Sequence, residues 1–400
     1  MKRNILRKSY QFGILFSLLL FSACGDDSKQ IEVEEIDEEA PVINCPDDIS
    51  LSIGPLDLEP TIEYQTPVGT DNNEAVTRLI EGLESGSVFP IGTTIITYEV
   101  TDQAGNKSSC SFEVTVTREE PTALDAPYVF GGIAPEGKKW EKVEALSDEF
   151  EGNALDDTKW HNDPSSDPFG WYGRPPALFD PENVTVADGN LNVNVLEYET
   201  PKFANGKNWT HGGAILRSKT KAGPGQFYEA RIQANKTVMS TTFWIAFQQN
   251  CNTGPTRKLE LDILECVGRV HDGTPTWAEK FDNIFASNTW RHQRSCDPGT
   301  ADGSKQAPGK TVMSEKNHSR FFVYGCWWKS PTEMLFYLDG EFVHAIRNPP
   351  ADFDIEGHIT MAIETYDWNP IDDANILKTG TVEERTTKYD WVRTWKLVDE

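Results

Sequence analysis

The stretch KLELDILECVG, residues 258–268, places three acidic residues inside an otherwise apolar run. Successive side chains of a β-strand point to opposite faces, so Glu260 and Asp262 share a face while Glu265 is out of step with them. Burying a lone carboxylate in an apolar core is costly. One extra residue near Ile263–Leu264 would form a β-bulge that returns Glu265 to the face of the other two acids. The pattern therefore predicts a bulged strand with three carboxylates in one groove.

Short alternating segments separated by turn residues surround this strand. Apolar residues alternate in NVTVADGNLNVNV on both sides of Asp188-Gly189, and again in LFYLDGEFVHAI on both sides of Asp339-Gly340. Both patterns are typical of β-hairpins. Residues 128–400 show no long amphipathic helix pattern. We predict an all-β domain there, built as a jelly-roll sandwich of two stacked antiparallel sheets.

The charge balance limits the classes of partner. The chain has 37 basic and 63 acidic residues, a net charge of −26, which disfavours nucleic acid as a partner. No glycine-rich dinucleotide or phosphate-binding pattern occurs in a suitable context, so no organic cofactor is expected. A hydrophobic content of 38% with 12 tryptophans is sufficient for a large core.

The N-terminus has the composition of a targeting segment. Residues 1–23 have a basic start, a short apolar stretch and small residues just before Cys24. They resemble a bacterial lipoprotein signal, and the acidic GDDS that follows Cys24 resembles the surface-export signal of Bacteroidetes lipoproteins. The resemblance implies acylation of Cys24 and an outer-membrane lipoprotein exposed at the cell surface, which contacts the membrane through its lipid anchor only. An ordinary signal peptide with an incidental cysteine is the alternative. Residues 24–40 would form an acidic tether.

Setting Cys24 aside leaves six of the seven cysteines. In an oxidising compartment an even number of cysteines predicts disulfides. Four of them lie in the large domain, where three pairings are open, and their wide spacing argues against a zinc site. These four are Cys251, Cys266, Cys296 and Cys326.

Residues 41–118 read as a separate small module of short strands. The phrases APVINCPDDI, FPIGTTIITYEVTDQAGN and CSFEVTV resemble the hyalin-repeat (HYR) module, an immunoglobulin-like β-sandwich. The resemblance implies a Cys45–Cys110 disulfide and a role as a spacer or adhesion unit. Residues 119–127 would link this module to the large domain.

The three acids resemble a catalytic signature. Neighbouring carboxylates do not ionise independently, and their pKa values split, which acid-base catalysis requires. E-x-D-x-x-E resembles the signature of glycoside hydrolase family 16, in the bulged form of agarases, porphyranases, carrageenases and laminarinases. By this resemblance Glu260 is the nucleophile of a retaining mechanism, Asp262 its helper and Glu265 the acid/base. A calcium site or an edge strand with solvated charges is the alternative interpretation of the acids alone.

Other segments between residues 140 and 400 resemble the same family and imply a sugar-binding cleft. In IFASNTWRHQRS, Asn288, His292 or neither corresponds to the substrate contacts of the family, and His292 is taken as the candidate. Core packing is the alternative for each tryptophan, and a surface salt bridge is the alternative for each arginine. The resemblance also allows a structural calcium ion, with Asp390 as one ligand. The predicted substrate-binding residues are Trp171, Arg174, Arg217, Trp244, Trp277, His292, Glu364 and Trp368.

These features lead us to expect an endo-acting retaining hydrolase of β-1,4 galactosidic linkages in red-algal galactans, agarose or porphyran. A galactan polysaccharide would be its partner, and we expect a monomer that needs no cofactor. A laminarinase or carrageenase on the same scaffold is the nearest alternative. A non-catalytic surface glycan-binding protein is another, although binding alone does not require clustered carboxylates. The HYR module adds adhesion as a third alternative.

Overall fold

The structure is a computed structural model that describes residues 37–119, 124–166, 170–249, 256–293, 303–372 and 376–400. Cys24, Cys251 and Cys296 lie outside these residues. None of the described residues form a helix with the length and apolar character that crossing a membrane requires.

The chain folds into two compact units. The described parts of the first are residues 37–46, 65–82 and 96–112, and the second comprises residues 47–64, 83–95 and the described residues from 113 to 400. The segment boundaries given by the sequence, at 41–118 and 128–400, stay predictions.

Six strands form within residues 49–118. They are β1 Ile49–Ile53, β2 Thr61–Ile62, β3 Ala75–Glu81, β4 Ser87–Val88, β5 Gly92–Asp102 and β6 Lys107–Arg118. Four of them make a sheet in the order β1-β6-β5-β3, and β2 pairs with β4. In β5 the side chains of Ile96, Tyr98 and Val100 are buried and alternate with more exposed residues. This period of two is the reason that the segment forms a half-buried strand.

The predicted disulfide is present in this region. Cys45 and Cys110 are bonded, with their Cα atoms 5.6 Å apart and 65 residues between them in sequence. In contrast, Cys266 and Cys326 of the large domain are free, buried thiols. The expectation of disulfides is therefore confirmed for Cys45 and Cys110 and wrong for Cys266 and Cys326. Burial in the apolar core raises the pKa of the Cys266 thiol, which keeps it protonated.

Eighteen further strands follow. They are β7 Lys138–Lys142, β8 Trp160–His161, β9 Gly173–Arg174, β10 Ala177–Phe179, β11 Val184–Ala187, β12 Asn190–Asn194, β13 Leu196–Ala204, β14 Lys207–Ser218, β15 Gln226–Gln233, β16 Ser240–Gln249, β17 Arg257–Val267, β18 Ile284–Gln293, β19 Lys305–Val312, β20 Phe322–Ser330, β21 Glu333–Leu338, β22 Glu341–Arg347, β23 His358–Ile363 and β24 Thr386–Asp399. The helical segments among the described residues are single 3-10 turns at Glu144–Leu146, Pro181–Asn183, Thr276–Ala278 and Glu383–Arg385.

These strands form two large sheets, as predicted. A ten-stranded sheet runs in the order β19-β18-β17-β16-β23-β14-β10-β9, with β8 and β13 paired to β14. An eight-stranded sheet runs in the order β11-β12-β24-β15-β20-β21-β22, with β7 paired to β24. One apolar core joins residues of both sheets, including Leu261, Phe285 and Met361 of the first and Tyr228, Trp328 and Phe336 of the second. The all-β sandwich is confirmed.

Both predicted hairpins are also present. Asp188 and Gly189 have φ of 53° and 69° between β11 and β12, and Asp339 and Gly340 have φ of 48° and 87° between β21 and β22. Positive φ at both central residues gives a turn whose twist matches the flanking strands, and Asp-Gly tolerates it at low cost. The two turns fix the register of the sheet behind the acidic strand.

Replacing both Cys45 and Cys110 with serine should destabilise the small module by about 4 kcal/mol, because the crosslink limits the unfolded chain over a long loop. Calorimetry of the whole chain should show one unfolding transition moved to lower temperature. Cys266→Ser and Cys326→Ser should not reproduce that movement. An unchanged set of transitions in the double variant would show that the bond contributes nothing to the stability of the module.

Candidate active site

Strand β17 contains the predicted bulge. In the pairing of β16 with β17, Phe243 lies opposite Leu264 and Trp244 lies opposite Asp262, so Ile263 has no partner in the register. Ile263 and Leu264 are consecutive residues, and both are fully buried in the core. The extra residue shifts the alternation of inward and outward side chains by one position. Glu265 therefore points away from the core, on the same face as Glu260 and Asp262.

All three acids line one cleft on the ten-stranded sheet. The cleft has a volume of about 510 Å³. Six of the eight predicted substrate-binding residues line it together with the acids: Trp171, Arg174, Arg217, Trp244, His292 and Glu364. Trp171 lies just before β9 and Glu364 just after β23, and the other residues lie on β9, β14, β16, β17 and β18. These strands belong to the same sheet, which brings residues from distant parts of the sequence together.

Glu260 and Glu265 have different hydrogen-bond partners. Oε2 of Glu260 lies 2.7 Å from Nε2 of His292, on the neighbouring strand β18. The hydroxyl of Tyr366 donates to Oε1 of Glu265 over 3.0 Å. Each contact helps to orient one carboxyl group. The cleft therefore holds two oriented carboxyl groups in different environments, as acid-base chemistry requires.

Burial and mutual repulsion raise the proton affinity of this cluster. Burial, followed by the negative charges of Glu260 and Glu265, raises the pKa of Asp262 well above its usual range. Burial and the charge of Glu260 also raise the pKa of Glu265 to about 7, although the hydrogen bond from Tyr366 lowers it. Oδ2 of Asp262 has no hydrogen-bond partner among the described residues. Burial and like charge therefore favour the protonated form of Asp262, while Glu265, with a pKa of about 7, is poised to gain or lose a proton near neutral pH.

A fourth acid lies in the cleft beside an arginine. Nε of Arg174 lies 2.8 Å from Oε2 of Glu364, whose side chain is only 7% exposed. Burial raises the pKa of Glu364 to about 7, and the Arg174 guanidinium opposes that rise. Gly173 precedes Arg174 with φ of 128°, and a Cβ atom there would lie 2.2 Å from the carbonyl oxygen of Ala177. Only glycine allows the close β9–β10 hairpin that presents Arg174 to the cleft.

Arg217 is buried, so the alternative interpretation that it forms a surface salt bridge does not apply. Its side chain is 2% exposed, and Nη1 donates to Oγ1 of Thr360 over 2.8 Å. The guanidinium carbon lies 5.8 Å from the ring centroid of Trp244, and Trp244 in turn contacts Trp171 edge to face with ring centroids 6.5 Å apart. These three side chains form a wall of the cleft on one side of β17.

Three predicted residues lie outside the cleft lining. Trp277 is 58% exposed on the 3-10 turn at Thr276–Ala278, and its ring packs on Trp368 with centroids 5.2 Å apart. Trp368 stacks on Tyr366, with ring centroids 4.9 Å apart and planes inclined by 20°. Neither tryptophan is among the residues that line the cleft, and their role in substrate binding stays a prediction. Asp390 forms a salt bridge with Arg231, in which Nη1 of Arg231 lies 2.6 Å from Oδ2 of Asp390.

The calcium prediction remains untested. Among the described residues, the cluster of three or more potential metal ligands consists of Asp37, Asp71 and Asp102 and does not include Asp390. A hard cation requires several oxygen ligands, and the carboxylate of Asp390 is already neutralised by a guanidinium. The described surroundings of Asp390 therefore do not fit a calcium site.

Tyr366 lines the cleft and contacts Glu265, and the sequence interpretation missed it. It lies between Glu364 and Trp368 in ETYDWNP, two positions from each. The alternation of Glu364, Tyr366 and Trp368 was available as a signal, because residues two apart on an extended chain share a face. A hydroxyl near Glu265 could not be inferred from that spacing, since it depends on how the end of β23 approaches β17.

A two-sheet β-sandwich with a cluster of carboxyl groups in an open cleft, next to tryptophans and arginines, has the construction of a polysaccharide-cleaving enzyme. Comparison with protein-family models matches residues 140–397 to beta-porphyranase A-D, GH16 domain, and residues 36–116 to the HYR domain. The chain belongs to glycoside hydrolase family 16 and is a glycoside hydrolase.

Relatives with established names agree with this assignment. Beta-porphyranase B of Zobellia galactanivorans is 39% identical over 299 residues, which cover 73% of this chain and 99% of that protein. Beta-porphyranase B of Phocaeicola plebeius is 33% identical, covering 66% of this chain and 87% of that one. The crystal structure of porphyranase B from Zobellia galactanivorans superimposes with a TM-score of 0.61 at 40% identity, covering 68% of this chain and all (100%) of that chain.

Proposed function

We propose that this chain is an endo-acting, retaining glycoside hydrolase that cleaves β-1,4 galactosidic linkages of a red-algal galactan, with porphyran as the first candidate and agarose as the second. The observation that carries the proposal is the bulge of β17, which gives Glu260, Asp262 and Glu265 one cleft. The names of the relatives at 39% and 33% identity favour porphyran over agarose.

The proposed reaction uses the two oriented carboxyl groups in sequence. Glu265 donates its proton to the glycosidic oxygen while a carboxylate oxygen of Glu260 attacks the anomeric carbon, so the C–O bond to the leaving sugar breaks and a glycosyl ester forms. Water then attacks the same carbon after losing a proton to the Glu265 carboxylate, and Glu260 departs. Two inversions give net retention.

The neighbours of the acids support this division of roles. His292 and Asp262 hydrogen bond to Glu260 and orient it for attack. Tyr366 occupies Oε1 of Glu265, which directs the transferable proton to Oε2. A binding protein would gain nothing from placing carboxyl groups where their charges oppose each other, so the cluster favours catalysis over simple glycan binding.

Incubation with porphyran, agarose, carrageenan and laminarin tests the substrate. We expect oligosaccharides of even size from porphyran or agarose, identified by mass spectrometry, and the β-anomer as the first product in NMR spectra. Hydrolysis confined to laminarin or carrageenan would refute the galactan assignment. First appearance of the α-anomer would rule out retention, and binding without any hydrolysis would favour the glycan-binding alternative.

Glu260→Gln and Glu265→Gln should each lower kcat by about 100- to 10,000-fold, because each removes one reacting carboxyl group while keeping its shape. The matched control is Glu182→Gln, since Glu182 has a side chain 80% exposed and lies outside the cleft lining. Circular dichroism should show all three variants folded. Near-normal turnover in either cleft variant would remove that residue from the mechanism.

The pH dependence of kcat/KM should report Glu265. It must be protonated for the first step, and its pKa of about 7 means that activity falls as pH rises through that value. Tyr366→Phe removes a hydrogen bond that favours the charged carboxylate. The pKa of Glu265 should therefore rise, and the high-pH limb should move upward by about one unit.

Tyr198→Phe is the control for this measurement, because the Tyr198 hydroxyl donates to a carboxylate of Asp180 that does not line the cleft. Its profile should match that of the unmodified enzyme. A limb that stays in place in Tyr366→Phe, or moves to lower pH, would contradict the assignment of Glu265 as the acid.

A further inference from the structure

Trp290 on β18 faces the same side of the sheet as the proposed nucleophile. In the antiparallel pairing of β17 with β18 it lies directly opposite Glu260. Opposite residues of such a pair point to the same face, with Cβ atoms about 4.5–5.5 Å apart. Trp290 is therefore a neighbour of Glu260 on the side of β17 away from Trp171.

The indole is partly exposed and held in a fixed orientation. Trp290 is half-buried and belongs to none of the buried core clusters of the described residues. Its ring stacks on the imidazole of His292, with centroids 5.7 Å apart and planes inclined by 8°. His292 in turn contacts Glu260. A large flat apolar surface thus remains in contact with solvent beside the reacting carboxyl groups.

The next strand extends this surface toward the edge of the sheet. Gln306 on β19 lies opposite Trp290, and Pro308 lies opposite Asn288. Both β19 residues are exposed, whereas Ala307 between them is partly buried and packs against the core. Nδ2 of Asn288 donates to Oε1 of Gln306 over 2.7 Å, and no residue that the structure describes accepts a hydrogen bond from Nε2 of Gln306, which can donate to a hydroxyl. We call Trp290, Gln306 and Pro308 the β18–β19 shelf.

We propose that the β18–β19 shelf binds one sugar ring of the polysaccharide chain as it leaves the cleft across the catalytic strand, with Trp290 as the stacking platform and Gln306 as a hydrogen-bond donor. A pyranose ring has an apolar face of C–H groups and a rim of hydroxyls, which the shelf matches with an indole and an amide. The inference deepens the proposed function and rests on it, because the occupant is the same galactan that fills the cleft.

The test measures kcat and KM of Trp290→Ala on purified porphyran and agarose octasaccharides. Losing the stacking contact should raise KM by about 3- to 10-fold, the equivalent of about 0.7–1.4 kcal/mol. The value of kcat and the pH profile should stay unchanged, because the contact is the same in the bound substrate and the transition state. The position of cleavage within the octasaccharide should also shift, since one side of the cleft has lost a subsite.

Trp290→Phe should recover most of the loss, and Phe203→Ala is the matched control, because Phe203 is an aromatic residue 73% exposed on β13 outside the cleft lining. If the alanine variant does not fold, Trp290→Leu offers an apolar side chain without a flat ring and gives the same test. Unchanged KM and cleavage position would overturn the proposal.

A second outcome would also overturn it. A fall in kcat with a displaced pH profile and an unchanged KM would mean that Trp290 acts only by holding His292. The failure of the proposed function is distinguishable from both outcomes, because in that case the unmodified enzyme would hydrolyse neither octasaccharide.

Discussion

The active site depends on one extra residue in strand β17. Ile263 and Leu264 both enter the core, and this change of phase places Glu265 beside Glu260 and Asp262. Without the bulge, the last acid would point into the apolar core, where an unpaired carboxylate is strongly unfavourable. The packing of two adjacent aliphatic side chains thus holds three carboxyl groups together against their mutual repulsion. The stability of the sandwich is what keeps the acids in this arrangement.

The residues around the acids affect the pKa of each carboxyl group differently. Asp262 is buried between two acids, so its pKa is raised well above its usual range, which favours its protonated form. Glu265 keeps a pKa of about 7 because a hydroxyl partly offsets its burial. Glu364 is stabilised by Arg174 on the other side of the cleft. The proton affinities of Asp262, Glu265 and Glu364 are thereby set by different neighbours, and a reaction that both donates and removes a proton depends on such control.

Several features of the fold followed from local sequence. Asp188-Gly189 and Asp339-Gly340 specify their hairpins, since few other residue pairs tolerate positive φ at both turn positions. The bulge could be inferred because the alternation of apolar and acidic residues fails at one place. The tryptophans were harder to assign. Trp277 and Trp368 were predicted to bind sugar in the same way as Trp171 and Trp244. In the structure they pack on each other and are not among the residues that line the cleft.

The sequence by itself determined the all-β class, the bulged acidic strand and the set of acids, because each is encoded by the period of two along a single segment. The tertiary structure decided which distant residues join that strand. The contacts of His292 with Glu260, of Tyr366 with Glu265 and of Arg174 with Glu364 connect residues 32, 101 and 190 positions apart. Such contacts depend on strand order and on the approach of loops to the sheet, which no local pattern specifies.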